Sequence, residues 1–317
     1  IIAAATRHDV PVTFRAAGTA LSGQSATDSV LVVTGKDWEG IKIDQTGEHV
    51  EVQPGIIGAR VNQLLAPYGR KLGPDPASVR SAMIGGIVAN NASGMNGTDE
   101  NSYKTIDSVR IVLADGTVLD TGSPASRDEF RQTHPEFLAR LEEIRRRVAD
   151  NEALTARVHK KYSIKNTTGL GLNSLVDYTD PFDVITHLMV GSEGTLAFID
   201  LVRLSTLEAM PHKASAMLYF NDMRTACEAV QQLKGSPVGS VELLDRLAIR
   251  SIEHMEGIPA FIHTLPEDGT ALLIETTARD KAQLDANIKA INALIHPEQL
   301  AAPIEFTDKP EEYSKYW

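Results

Sequence analysis

The chain has little of several things that often identify a protein. Cys227 is its only cysteine in 317 residues. A single thiol excludes an internal disulfide, a cysteine-based zinc cluster and an iron–sulfur cluster held by these residues alone. No apolar run reaches the roughly 20 residues that a membrane-crossing helix needs. Basic residues are outnumbered, with 31 Lys and Arg against 42 Asp and Glu, a formal charge of −11. Nucleic-acid binders carry the opposite excess, so no nucleic-acid partner is expected. The common nucleotide signatures are missing too. There is no G-x-x-x-x-G-K-[ST] loop. The nearest approach to G-x-G-x-x-G is "GLGLNS" at 169–174, which lacks the last glycine and follows polar "KNTT". A G-x-S-x-G elbow is absent, because "GSEG" puts Glu193 where serine would be needed.

What is present is an ordinary globular composition, 42% hydrophobic, in a chain long enough for two domains. "VPVTFRA" and "SVLVVT" read as strands. "IKIDQTGEHVEVQPG" reads as a hairpin turning at Thr46-Gly47, and "VRIVLADGTVLDT" as a second one turning at Asp115-Gly116. Helical spacing relates Ile57, Val61, Leu64 and Leu65, and again Phe137, Leu141, Ile144 and Val148. The pattern changes near residue 206. Beyond it "KASAMLYF" and "TALLIETT" read as strands. "DMRTACEAVQQL", "VELLDRLAIRSIEHM" and "KAQLDANIKAINALI" read as helices. Cys227 is expected as a small core residue of the first of these helices, in a reducing, cytoplasmic setting. The opening "IIAAATRHDV" reads as the second half of a helix. With the abrupt end at "EEYSKYW", it leads us to expect a piece of a longer protein.

Three loops of small residues stand out. Phe14–Ser25, "FRAAGTALSGQS", follows a strand directly. Residues 73–97, "GPDPASVRSAMIGGIVANNASGMNG", form the second, and 191–199, "GSEGTLAFI", the third. Small residues let a ligand touch main-chain N–H groups. Successive N–H groups in such turns make an anion-binding concavity, so an acidic protein can hold a phosphate without a basic patch.

In this order and rough spacing, the three loops resemble the FAD-linked oxidases of the vanillyl-alcohol-oxidase (PCMH-type FAD-binding) superfamily. The nearest branch is the D-lactate, glycolate and D-2-hydroxyglutarate dehydrogenases. The likeness covers most of residues 10–205 and continues more weakly through "VELLDRLAI". It implies an α+β fold: a PCMH-type FAD-binding domain at 1–206, then a smaller α/β sandwich-like substrate (cap) domain at 207–317. Ala16, Ala17, Gly18, Thr19, Ala20, Leu21, Ser22 and Gly23 would wrap the FAD diphosphate. Two glycines of the family's usual pattern are here Ala16 and Ala17, and a later one is Ala20, so these three positions must avoid positive φ. Pro74, Asp75, Ser78, Gly85, Gly86, Asn90, Asn91, Ser93 and Gly94 would line the ribityl chain and ring. Glu193, Gly194 and Ile199 would lie near the adenosine or the ring. Thr19 stands where some relatives carry a tethering histidine, so non-covalent FAD is expected.

The implied reaction is hydride transfer from a 2-hydroxy acid to flavin N5. The electron acceptor would be a quinone, cytochrome or flavoprotein, with a fused or partner iron–sulfur module possible in such a system. The family's base and metal ligands come from a later Asp-Gly-Asn-like segment that is not found in this sequence. No metal site is expected in these residues. His159 and His187 are the histidines nearest the cofactor motifs. Glu242 is a candidate substrate contact, weighed against a plain helix N-terminus rich in acids. Two rival readings stand beside this one. One is a flavoprotein of the same fold acting on another alcohol or a sugar, and the other a non-catalytic FAD-binding fragment.

Overall fold

The computed structural model describes residues 1–94, 100–255 and 258–313. The chain divides into two compact units, Ile1–Ala209 and Met210–Trp317.

In unit 1, β1 (Val12–Arg15) and β2 (Val30–Val33) pair in parallel as a ribbon of their own. The first hairpin is β3 (Ile41–Ile43) with β4 (His49–Val52). Its turn is built by Asp44, whose carboxylate accepts N–H bonds from Thr46 and His49, both at 3.0 Å. The short β5 (Arg70–Lys71) lies apart from the main sheet. The second hairpin is β6 (Ile106–Val112) with β7 (Val118–Asp120). β8 (Phe198–Ser205) joins the two hairpins into one antiparallel sheet, ordered β3-β4-β8-β6-β7, and β9 (Leu207–Glu208) pairs with β5. Burial follows strand position. β4 alternates, with Val50 and Val52 inside. Central β8 is apolar on both faces, burying Phe198, Ile199, Leu201, Val202 and Leu204. The helices Gly58–Leu65, Ile84–Asn90 and Pro181–Leu188 share this core through Val61, Leu65, Ile84, Ile87, Phe182 and Ile185. Each such side chain contributes about 1.5–3 kcal/mol by leaving water.

The helix Pro135–Ala149 departs from the expected face. Leu138 and Leu141 are the residues packed on the core, while Phe137 and Ile144 are exposed. Phe137 lies about 100° round the helix from Leu138, outside the inward stripe.

In unit 2, β10 (His212–Phe220), β11 (Ser240–Leu244) and β12 (Thr270–Ala278) form an antiparallel sheet ordered β10-β12-β11. The helices Met223–Leu233 and Lys281–Asn292 cover one face through Ala226, Ala229, Leu233 and Ile291. The other face meets Ile249, Ile262 and Leu265. Two expectations are corrected here. "VELLDRLAIRSIEHM" is not one helix. Its first part is β11, and the helix Arg246–Ile252 begins only after Asp245, whose carboxylate accepts the Ala248 N–H at 2.8 Å. Leu and Glu favour helix, but pairing of Val241–Leu244 with β12 overrides that local preference. Cys227 is exposed, not core. The buried stripe of its helix runs through Ala226, Ala229 and Leu233, and Cys227 sits one step off it.

Candidate functional site

Strand β1 delivers the first loop directly to a cleft in unit 1. The cleft has a volume of about 170 Å³ and takes its walls from all three small-residue loops. A cavity of about 150 Å³ already holds a six-membered aromatic ring. From the first loop come Ala16, Ala17, Gly18, Thr19 and Ala20. The second contributes Ser78, Gly85, Gly86 and Asn90, and the third Glu193 and Gly194, with Ile199 beyond it on β8.

The second and third loops are fastened together. The Glu193 N–H donates to the Ala89 carbonyl at 2.8 Å, and the Gly191 N–H to that of Val88 at 3.2 Å. These bonds occupy carbonyls at the end of the helix Ile84–Asn90, which carries no fully buried polar residue of its own. The Asn90 amide donates to Glu193 Oε1 at 2.6 Å, and Glu193 itself is left-handed at φ 52.

The first loop is different. Among the described residues, the main-chain N–H groups of Ala16 through Ser22 find no acceptor within the chain. Only Gly18 and Gly23 in this loop take positive φ, so the three alanines keep ordinary backbone, as an alanine requires.

Not every expected residue borders the cleft. Leu21, Ser22 and Gly23 are exposed beyond its rim. Pro74, Asp75, Ser93 and Gly94 do not line it either; Pro74 is buried and Asp75 exposed. A Cβ on Gly94 would stand 2.0 Å from the Asp75 carbonyl oxygen, and Lys165 Nζ donates to the carbonyls of Ser93 and Gly94 at 3.1 and 2.9 Å. Glycine at 94 therefore serves a close approach of main chain to main chain. Asn91 turns to a second, polar cavity, with its amide on the Asn166 carbonyl at 3.1 Å. The end of the second loop, Met95, Asn96 and Gly97, lies outside the described residues.

Neither singled-out histidine lines the cleft. His159 is exposed at the mouth of the second cavity. His187 is buried, stacked on Tyr178 at 4.0 Å with its Nδ1 2.8 Å from the Asp183 carbonyl, and burial pushes its pKa down. Glu242 lies on β11 of unit 2, exposed, and is not at a helix start.

Sequence reasoning missed the apolar part of the wall. Phe14 and Phe198 meet at 4.5 Å, with Trp38 edge-on to Phe198 at 5.1 Å, and Pro54, Met83 and Ile87 add to it. Phe14, Arg15 and Phe198 lie inside the first and third loops as drawn and could have been found by weighing their larger side chains along with the small ones. Pro54 carries no local signal of this kind.

These residues fit a nucleotide cofactor. Seven consecutive uncommitted N–H groups suit a diphosphate, the space where a Gly194 side chain would go is empty, and the buried Gln24 Oε1 on the wall has no partner.

Comparison with known proteins agrees. The family model described as FAD binding domain matches residues 1–122, and that of FAD linked oxidases, C-terminal domain, matches 209–317. The chain belongs to the FAD-linked oxidases, and FAD is its cofactor. It is 28% identical over 279 residues to glycolate oxidase subunit GlcD of Escherichia coli, covering 86% of this chain and 44% of that one. It is 24% identical over 247 residues to D-2-hydroxyglutarate dehydrogenase of Haemophilus influenzae, covering 75% of this chain and 24% of that one. The chain thus spans less than half the length of these relatives. An alkyldihydroxyacetonephosphate synthase structure superposes with a TM-score of 0.63 at 15% identity, over 94% of this chain and 48% of that one, which shows the shared PCMH-type fold. Among the described residues, no helix is long and apolar enough to cross a membrane.

Proposed function

We propose that unit 1 holds FAD non-covalently in the three-loop cleft, and that the protein oxidises a 2-hydroxy acid of the D-lactate or glycolate kind to the 2-oxo acid. The observation that carries this reading is the convergence of three small-residue loops around one cleft, one of them offering a run of free N–H groups. The similarity to glycolate and D-2-hydroxyglutarate enzymes supports the substrate class. When bound, FAD supplies the two-electron acceptor. Ala16 to Ser22 would hold the diphosphate through main-chain N–H groups. Gly85, Gly86, Asn90, Glu193, Gly194 and Ile199 would border the rest of the cofactor. Phe14, Phe198 and Ile87 keep water from that end.

The cleft residues bind and orient but do not move the substrate's proton. Among the described residues of the wall Glu193 is the only carboxylate, and its Oε1 is committed to Asn90. Among the described residues no histidine lines the wall. We therefore assign the proton acceptor to a group outside this cleft. A positioned general base contributes about 10²–10⁴ in rate.

The test is anaerobic bleaching of the flavin band by D-lactate, glycolate and D-2-hydroxyglutarate. It is run on residues 1–317 and on a protein extended to the length of the relatives. Negligible bleaching of the first and rapid bleaching of the second with one of these acids is expected. Rapid bleaching of the first places the base within these residues. No bleaching of the second by any 2-hydroxy acid refutes the substrate class.

A further inference from the structure

Unit 2 gathers three metal-ligating side chains that are not adjacent as a set in sequence: Glu253, His254 and His263. The helix Arg246–Ile252 ends at Glu253, and the 3₁₀ turn Ala260–Thr264 brings His263 back beside it. Ile249 of the helix and Ile262 of the turn are buried in one apolar cluster. The two segments are therefore held together by packing.

The carboxylate is oriented as well. Arg246 Nη1 donates to Glu253 Oε2 at 3.0 Å, and the two side chains are only 8% and 14% exposed. This leaves Oε1 facing the imidazoles, 3.9 Å from His254 Nε2 and 3.9 Å from His263 Nδ1. All three ligand atoms lie within 4.8 Å of one another. Bonds of about 2.0–2.2 Å to a tetrahedral ion require ligand separations of about 3.3–3.5 Å. Each imidazole must come about half an ångström closer to Oε1, and the two imidazoles up to about 1.4 Å closer to each other; side-chain rotation can supply this, because both histidines are exposed.

We propose that Glu253, His254 and His263 form an exchangeable site for a Zn²⁺-class divalent ion on the surface of unit 2, with water in the fourth position. Two imidazoles and one carboxylate select zinc and its neighbours over calcium or magnesium, which take oxygen ligands. Arg246, behind the carboxylate, plays the orienting part that outer-shell partners play in metal sites. The bound ion would clip the C-terminal end of the helix to the 3₁₀ turn. The site is separate from the cofactor reading and does not depend on it.

The test uses the full chain with its flavin, stripped with EDTA and dialysed. Zn²⁺ is titrated by calorimetry and Co²⁺ by visible absorption. One Zn²⁺ per chain is expected, with Co²⁺ d–d bands of a four- or five-coordinate ion and a Zn²⁺-dependent rise in Tm. His254→Ala and His263→Ala should each weaken binding at least about tenfold. His159→Ala, which changes an exposed histidine of unit 1, should leave it unchanged. Far-ultraviolet circular dichroism and a thermal melt of each variant without Zn²⁺ report that unit 2 is folded. No Zn²⁺ uptake overturns the proposal. So does uptake that survives the His254→Ala/His263→Ala double change, which would place the ion on other histidines.

Discussion

Replacing Gly194 by alanine tests the third loop against a matched control. Gly194 has φ +74 and Gly169 has φ +75, and a Cβ at either would meet nothing within 4 Å. Only Gly194 borders the cofactor cleft; Gly169 faces the second cavity. Left-handed backbone costs a non-glycine residue about 1–2 kcal/mol, so both variants should destabilise unit 1 to a similar degree. At about 2–4 °C per kcal/mol for a domain of this size, each Tm should fall by about 2–8 °C. The two variants part company when FAD is added. A methyl at 194 stands where the cofactor would pack, and an extra group in a well-packed contact costs about 1–3 kcal/mol. That corresponds to about 5- to 150-fold weaker FAD binding. Circular-dichroism melts of the apo variants give the first quantity, and titration of flavin fluorescence quenching gives the second. If Gly194→Ala and Gly169→Ala bind FAD equally well, the third loop does not touch the cofactor and the assignment of this cleft is wrong in that part.

Gly94→Ala sets a new Cβ 2.0 Å from the Asp75 carbonyl oxygen. It should lower the Tm of unit 1 more than Gly35→Ala, where φ is −124 and the new Cβ meets nothing within 4 Å; equal melts would deny that main-chain contact. Asp120 accepts a two-pronged bond from Arg203, at 2.7 and 2.9 Å. Burial pushes its carboxyl up, but the bonds from Arg203 and Gly122 outweigh burial and hold it below its ordinary 3.8. A depressed folded value means stability that is present above the ordinary value and fades as pH drops through the folded one. Asp120→Asn should therefore lose about 1–3 kcal/mol at neutral pH, with the gap to the parent narrowing below about pH 4. Urea melts at pH 7 and pH 3 measure it, and a gap independent of pH would contradict the ion-pair reading. Finally, with Thr19 and no histidine at that point of the loop, acid precipitation should leave all the yellow colour in the supernatant. Colour in the pellet would mean a covalent link.

Local chemistry made much of unit 1 readable. Thr46-Gly47 and Asp115-Gly116 announce their hairpins because positive φ and side-chain-to-backbone bonds are written in the turn residues themselves. Twelve expected cofactor residues border one cleft because each loop is continuous in sequence. What could not be read is set by partners far along the chain. β11 carries a helix-forming composition, and only its ladder with β12 makes it a strand. Phe137 and Ile144 match a helical period, yet the inward stripe was fixed by what the helix lies against. Pro74 and Asp75 are expected cofactor contacts that do not border the cleft, and the atom that crowds Gly94 belongs to Asp75. Glu253, His254 and His263 are brought together by packing between their two segments, Ile249 and Ile262 among it, which the local sequence does not announce.

The bonds from Glu193 to Ala89 and from Asn90 to Glu193 give the cleft two kinds of wall. One is set before any ligand arrives, so it can reject a misfit by shape alone and pays no ordering entropy on contact. The other, Ala16 to Ser22, keeps its donors on solvent until an anion replaces the water. Recognition of the cofactor would thus be divided. The rigid wall decides which ligand enters, and the hydrated loop governs how firmly it stays, so changes to the first should act on selectivity and changes to the second on residence time.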